Sequence, residues 1–316
     1  MKKFLLSSFY LTIPLIIWVI IVVAIDPFNY FEISNLISTG VKEENAKKIN
    51  TLFYVAIDCN NHPSENMLIG DSRTESLPVD EIKKWSGVDY KKLVIKGAKL
   101  NEIFDLIYFA NSKKKLNRLV VGVNFNMFNK YEYEDRVTGI NEILKNPLRY
   151  FFNRTVAKAC YYVVKAGVTG INIENKPKES KEVYWDFILK KNSVTWMSRF
   201  KFPENLYSDL KKLDSFSIKN NLELVFIIVP VHKDFHAKIS EYGLADEEIK
   251  FKKILSGLKS KVIDYDFDNS IIENKENFND PFHYNKQIGL LMVDEIWSNN
   301  FKVGRVLNVN DSIIVN

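Results

Sequence analysis

Five short apolar runs rich in β-branched residues recur along this chain of 316 residues. They are Asn66–Ile69, Lys92–Ile95 within "KKLVIKG", Leu119–Val123 within "RLVVGVNF", Leu222–Val229 within "LELVFIIVPV" and Val262–Tyr265 within "KVIDYDF". Each is nearly continuous in hydrophobicity rather than alternating, the pattern of a strand covered on both faces. The segments between them carry helical periodicity, and strand-helix alternation of this kind implies an α/β fold with a parallel sheet and right-handed crossovers. With 46% of residues hydrophobic and 26% charged, there is enough apolar material for a sizeable core, and a disordered or low-complexity chain is excluded.

The stretch from the third run to the fourth is far longer than the roughly dozen residues one crossover helix requires. Within it "NEILKNPLRYFFNRTVAKACYYVVKAG" and "NLYSDLKKLDSFSIKNN" read as helices, and Trp185 and Trp196 fall between them. We expect a helical insertion or lid at about 127–203. Its aromatics are expected to pack on the core, with a sugar-facing platform as the alternative. No internal repeat is visible.

At the N-terminus Lys2 and Lys3 precede an uncharged run, Phe4 to Ile25. As a helix that run would be roughly 33 Å long, enough to cross a bilayer. No small-x-small pair precedes Asp26, so the run reads as an uncleaved anchor rather than a signal peptide, and Pro14 is tolerable within it. The lysines would stay in the cytoplasm and send the rest outside. The expected organisation is a cytoplasmic tail (1–3), a transmembrane signal anchor (4–25), a membrane-proximal connector (26–60) with a short helix around Lys42–Tyr54, and an extracytoplasmic domain (61–316). Its place would be the cell membrane, single-pass.

The net charge of +5, from 44 basic and 39 acidic residues, is small and spread along the chain. Runs such as Lys113-Lys114-Lys115 and Lys190-Lys191 read as solvated helix ends or loops, and nucleic-acid binding is not expected. The charge is compatible with mild attraction to anionic headgroups or acidic glycans. Cys59 and Cys160 fit no metal pattern, and outside the membrane they could pair; the sequence leaves that open.

In an open parallel sheet the site lies outside the carboxyl ends of the strands. After the first run stands Gly70-Asp71-Ser72, after the second Gly97, and after the third Asn124. The fourth run leads to Pro230-Val231-His232, and the fifth leads through a polar loop to Asp280 and His283 in "NDPFHYN". Singly, each has a plain structural explanation: a turn, a helix cap, or an N-cap followed by Pro281 opening the last helix. Together they supply the parts of acyl transfer. Ser72 is a poor nucleophile without a base, His283 is the candidate base, and Asp280 could hold its tautomer. Three residues apart, Asp280 and His283 would share one side of a helical turn. The backbone N–H groups of Ser72 and Gly97 and the Asn124 amide are candidate donors to an oxyanion.

These blocks, "IGDSR", "KGAK", "GVNF" and "DPFHY", resemble in order the SGNH (GDSL-like) hydrolase superfamily over roughly residues 65 to 300. The resemblance implies a flavodoxin-like three-layer α/β/α fold on a five-stranded parallel sheet and a serine esterase or O-acyltransferase with no cofactor or metal. Two departures stand out: Arg73 follows the serine where the older family name has leucine, and Phe125 follows Asn124 where many members have aspartate. They look more like the membrane-anchored branch, similar to alginate acetylation factors and the D-alanyl transfer protein of teichoic-acid modification. Such proteins work beside a multi-spanning membrane O-acyltransferase. The resemblance thus implies an acyl-Ser72 intermediate and a cell-surface glycan substrate.

Arg73 either orients an anionic substrate or pairs with Asp71 or Glu75. His232 either lines the substrate pocket or is a core or loop histidine. Two other classes are compatible with these residues. One is a non-catalytic glycan-binding or scaffold partner retaining an inert site. The other is a metal site on His232 and His236, whose i, i+4 spacing would put both on one helix face but which lack an evident third ligand.

Overall fold

The structure, a computed structural model, describes the backbone of residues 2–174 and 179–308 and the side chains of these except 2–9 and 11. The chain divides into two compact units, Met1–Pro63 with Arg136–Pro177 and Ser64–Asp135 with Lys178–Asn316.

The second unit is built on a sheet of β1 (Asn66–Gly70), β2 (Lys91–Val94), β3 (Arg118–Val123), β4 (Glu223–Ile228), β5 (Lys261–Asp264) and β6 (Arg305–Val306). The strand order is β2-β1-β3-β4-β5-β6. The first five pair parallel, as the continuous apolar runs require, and the order 2-1-3-4-5 is the flavodoxin-like one. The sixth is a correction to the expected five-stranded sheet: β6 pairs antiparallel with β5, Ile263 opposite Val306 and Asp264 opposite Arg305. Two residues carry no periodicity to read; an ion pair from Arg305 Nη2 to Asp264 Oδ2 at 2.8 Å reinforces the pairing.

Successive strand residues face opposite layers. Leu68, Val120, Ile227 and Ile263 face one side, packed with Ile82 of the helix Val79–Ser86 and with Ile288, Met292 and Val293 of the helix Lys286–Ser298. Helices Leu100–Lys113 and Leu206–Asn220 lie against β1 and β4. At the carboxyl ends two strands must come close to a third segment. A methyl group on Gly70 would stand 2.1 Å from Thr74 Oγ1, and one on Gly122 would stand 2.0 Å from the same atom. The glycine of "GDS" is therefore required for close approach.

The first unit is helical. Asp26 is buried with a left-handed φ of 43°, and its carboxylate accepts from the backbone N–H groups of Tyr30, Phe31 and Glu32 at 2.7, 3.0 and 2.8 Å. Phe28 meets Phe53 edge-on at 4.7 Å, and Tyr30 stacks on Tyr150 at 4.2 Å. The helices Thr39–Ile49 and Arg154–Thr169 pack together, with Asn45 Nδ2 donating to Asn172 Oδ1 at 2.8 Å. The stretch expected as a connector (26–60) and the middle of the expected insertion (127–203) thus join in one unit, because each supplies half of an aromatic cluster. Cys59 and Cys160 are buried thiols, and burial pushes Cys160 up to about 12.

A helix does run from Lys2 to Ile25. Toward its end Trp18 Nε1 donates to Phe151 O at 2.7 Å, and Val22 is fully buried. Among the described residues no helix is long and apolar enough to cross a membrane, so the expected span is not shown.

Candidate active site

β1 ends at Gly70 and the chain turns through Asp71, Ser72 and Arg73 into a short 3-10 turn, Thr74–Ser76. Asp71 is the pivot. Its carboxylate accepts from the Arg73 backbone N–H at 3.0 Å, from Arg73 Nε at 2.9 Å and from Arg73 Nη2 at 2.5 Å. With its neighbours turned inward and buried, Ser72 remains half-exposed at the carboxyl end of β1.

Across the site, Asn279 to Tyr284 form a tight turn closed by a bridge between Phe278 and Tyr284 and by the Asn279 N–H donating to His283 O at 2.7 Å. This corrects the expectation that Asp280 opens the last helix. That helix starts at Lys286, capped by Asn285, whose Oδ1 accepts from Ile288 N at 3.1 Å. Asp280 Oδ1 instead accepts from the N–H groups of Phe282 (2.9 Å) and His283 (3.1 Å). The three-residue spacing therefore works through a side-chain-capped turn rather than a helical face. The turn is held from β4's exit by the His232 N–H donating to Pro281 O at 2.9 Å.

This geometry joins residues 211 positions apart. Ser72 Oγ lies 2.8 Å from His283 Nε2, and His283 Nδ1 lies 2.8 Å from Asp280 Oδ2. With Nδ1–H donated to Asp280, Nε2 is left to accept the hydroxyl proton of Ser72. Burial alone would raise the Asp280 carboxyl, but its bond to His283, the imidazole's charge and the two backbone donors outweigh that and hold it below its ordinary range. The His283 side chain is 35% exposed, so a small molecule can reach the pair.

The other expected residues divide. Asn124 is buried at the end of β3, its Nδ2 3.4 Å from Asp71 Oδ2. Gly97 is exposed, with a left-handed φ of 62°, in a turn beyond β2 where Ile95 N donates to Gly70 O at 3.2 Å. Strands β2, β1 and β3 are neighbours, so the oxyanion candidates sit on adjacent strand ends at the switch point of the sheet. Arg73 is buried and takes the Asp71 pairing, not an open substrate-facing position.

His232 is buried too. Its Nδ1 accepts from Asp234 N at 3.1 Å, capping the helix Lys233–Glu241, and its ring meets Trp185 and Phe278 edge-on. Burial pushes its pKa down. It braces the site from behind, and Trp185, whose Nε1 donates to Asp234 Oδ2 at 2.9 Å, is core as expected. Trp196 stands edge-on to Phe282 at 4.6 Å.

His236 takes other partners than His232. Its Nδ1 is 2.8 Å from Glu248 Oε1 and its Nε2 3.0 Å from Asp266 Oδ1. One ligand-type atom from each of the three lies within 4.8 Å of the others, but both imidazole nitrogens are engaged by carboxylates. Burial would lower its pKa; Asp266 and then Glu248 overcome this and raise it to about 10. The raised pKa favours an imidazolium paired with both carboxylates, and a metal bound here would have to displace its protons.

Two residues of the site escaped sequence reasoning as partners: Asn126 and Tyr284. Tyr284 is fully buried and its hydroxyl donates to Arg73 O at 2.7 Å, lacing the Asn279–Tyr284 turn to the turn through Asp71, Ser72 and Arg73. A bond from a side chain to a distant backbone carbonyl leaves no sequence pattern.

No protein-family model matches the chain, and no curated protein does. Among solved structures, the chain is similar to a Bacteroides fragilis protein provisionally described as an acylhydrolase. The identity is 12% and the TM-score 0.43, over 79% of this chain and 95% of that one. It is similar to a Streptococcus pneumonia protein provisionally described as a platelet activating factor at 10% identity and a TM-score of 0.40, over 83% and 95%. A Desulfitobacterium hafniense protein provisionally described as lipolytic and of the G-D-S-L family gives 11% identity and a TM-score of 0.37, over 74% and 99%. Likeness of this size carries no weight for chemistry, which rests on the Ser72, His283 and Asp280 geometry.

Proposed function

We propose that the protein is a serine enzyme acting on ester bonds through an acyl-Ser72 intermediate. The observation that carries this reading is the pair of 2.8 Å contacts, Ser72 Oγ to His283 Nε2 and His283 Nδ1 to Asp280 Oδ2. In the forward step Ser72 Oγ attacks the ester carbonyl as its proton passes to His283 Nε2. Asp280 stabilises the imidazolium that forms, and the same proton then goes to the leaving alcohol. Water or a second alcohol takes the acyl group by the reverse sequence. The tetrahedral oxyanion would be met by the backbone N–H groups of Ser72 and Gly97 and by the Asn124 amide.

The finer reading is an anchored enzyme that adds acyl groups, acetyl above all, to a cell-surface polysaccharide or removes them, beside a multi-spanning O-acyltransferase. Its support is the uncharged run Phe4–Ile25 after Lys2 and Lys3, together with the order of the four sequence blocks.

The test is covalent. Purified full-length protein treated with a fluorophosphonate is expected to gain mass at Ser72 and to hydrolyse a chromogenic acetyl ester, both lost in Ser72→Ala. Absence of labelling and of turnover across pH would overturn the reading. Acetyl transfer from that ester to an oligosaccharide, measured against hydrolysis, separates transferase from esterase.

A further inference from the structure

We propose that Asp71 and Arg73 form a positioning pair that sets the Asn124 amide for the oxyanion and cancels the charge of the carboxylate that does so. The proposal rests on the acyl-serine reading above. Asn124 is 2% exposed, its Nδ2 faces Asp71 Oδ2, and its Oδ1 has no hydrogen-bond partner among the described residues. A buried carbonyl oxygen left unsatisfied is costly, so something must hold the amide in this sense. Asp71 does: a carboxylate only accepts, and it would repel the oxygen of a flipped amide. With one N–H directed at Asp71, the amide keeps a second N–H to donate. Turned over, it would present a lone pair where negative charge develops.

A buried carboxylate beside that charge would by itself oppose the reaction. Arg73 removes the opposition. Its guanidinium, 3% exposed, takes Asp71 through Nε and Nη2, with Nη2 also 3.4 Å from Asn126 Oδ1. Nη1 has no partner among the described residues. The guanidinium is thus committed chiefly to Asp71, with the longer contact to Asn126 and a face toward the Phe282 ring at 5.7 Å as its other engagements. The pair therefore leaves a neutral base beneath an oriented amide.

The test uses the full-length protein, fluorophosphonate labelling at Ser72 and kinetics on p-nitrophenyl acetate. Arg73→Met leaves Asp71 unbalanced and is expected to lower kcat by about 10- to 100-fold with KM within about threefold. Asp71→Asn on top of Arg73→Met removes the uncompensated charge and is expected to recover at least about fivefold of the lost kcat. A purely structural role predicts the reverse, the double variant being worse than either single one. Should Arg73→Met not fold, Arg73→Lys, which keeps the charge but not the fork, is expected to retain more kcat than Asp71→Asn alone. The proposal is overturned by a rise in KM at unchanged kcat, by a double variant no better than Arg73→Met, or by Arg73→Lys falling to the level of Asp71→Asn. A wild type that labels and turns over while the variants behave in these ways sinks this proposal alone; a wild type that does neither sinks the acyl-serine reading with it.

Discussion

Two histidines of the sheet unit are each flanked at hydrogen-bonding distance through both ring nitrogens, and they do opposite things. His283 has a carboxylate on one side and a hydroxyl on the other. His236 has carboxylates on both, Glu248 at 2.8 Å and Asp266 at 3.0 Å. An imidazole between an acid and an alcohol can accept a proton and return it. Between two acids the cation is favoured, its pKa raised to about 10, so the ring is a poor proton acceptor at neutral pH. The identity of the second partner, rather than the presence of an Asp–His pair, separates a base from a structural ion.

The sharpest way to break this comparison is to remove each ring. His283→Ala is expected to lower ester turnover and Ser72 labelling by roughly 10⁵-fold while leaving the thermal midpoint nearly unchanged. His236→Ala should do the reverse. Ser72 labelling persists in the folded protein, but two carboxylates are left facing each other without the imidazolium between them, Lys252 remaining near Asp266, at a cost of about 3–5 kcal/mol read from a denaturant melt. If His236→Ala abolished labelling without loss of stability, the two sites would have to exchange roles.

Next in size is Asp280→Asn. The amide keeps an oxygen to accept from the Phe282 and His283 N–H groups, so the turn should survive. It can also turn its NH₂ toward His283, favouring the wrong tautomer, and kcat is expected to fall roughly 10⁴-fold with little change in melting. Loss of the fold instead would mean that Asp280 serves chiefly as the cap of its turn.

The pH dependence of stability sharpens the other half. The folded state holds the His236 proton more tightly than the unfolded chain, from 6.5 up to about 10. Its contribution is therefore complete below pH 6.5 and is lost as pH rises through 10. Asp266 moves the other way. Burial would raise its carboxyl, but His236 and then Lys252 and the Val231 N–H lower it from 3.8, so its contribution is present above 3.8 and lost on acidification. The difference in thermal midpoint between wild type and His236→Gln should shrink steadily from pH 6.5 to pH 10. A difference independent of pH would show that His236 is not ionised.

These two sites also mark what the sequence carries. Continuous apolar runs declare the parallel strands, because burial on both faces forces their composition, and the polar residues at their ends point to Ser72, Asn124 and the Asp280–His283 turn. The start of the last helix was misplaced because Asp280-Pro281 is as good a helix opening as Asn285. The Asn285 cap and the Phe278–Tyr284 bridge are choices only the packed structure makes. The union of 26–63 with 136–177 rests on aromatic contacts such as Tyr30 on Tyr150, which no local periodicity records. His236 looked like the partner of His232 at i, i+4, yet its real partners come from the helix Ala245–Ser256 and from just past β5.

The smallest expected effect concerns the link that keeps the base in register with the nucleophile. Tyr284 follows His283, and its buried hydroxyl donates to the carbonyl of Arg73, the residue after Ser72, at 2.7 Å. Deep burial drives the phenol's pKa far up, with Asp71 adding to this and Arg73 opposing it, so the hydroxyl stays a donor across the working pH range. Tyr284→Phe keeps the ring against the helix Lys286–Ser298 and removes one of the two donors to the Arg73 carbonyl, which keeps the Ser76 N–H at 3.1 Å. The expected cost is about 0.5–1.5 kcal/mol of stability. A loosened Ser72–His283 approach should also lower kcat severalfold, because misplacement of well under an ångström is enough to weaken proton transfer. Among the described residues no corresponding bond joins the His236 cluster to Ser72, so the same loss of stability produced there, by a milder change such as Glu248→Gln, should leave kcat unaltered. Equal kcat losses from the two variants would mean that general loosening, and not register, governs the reaction.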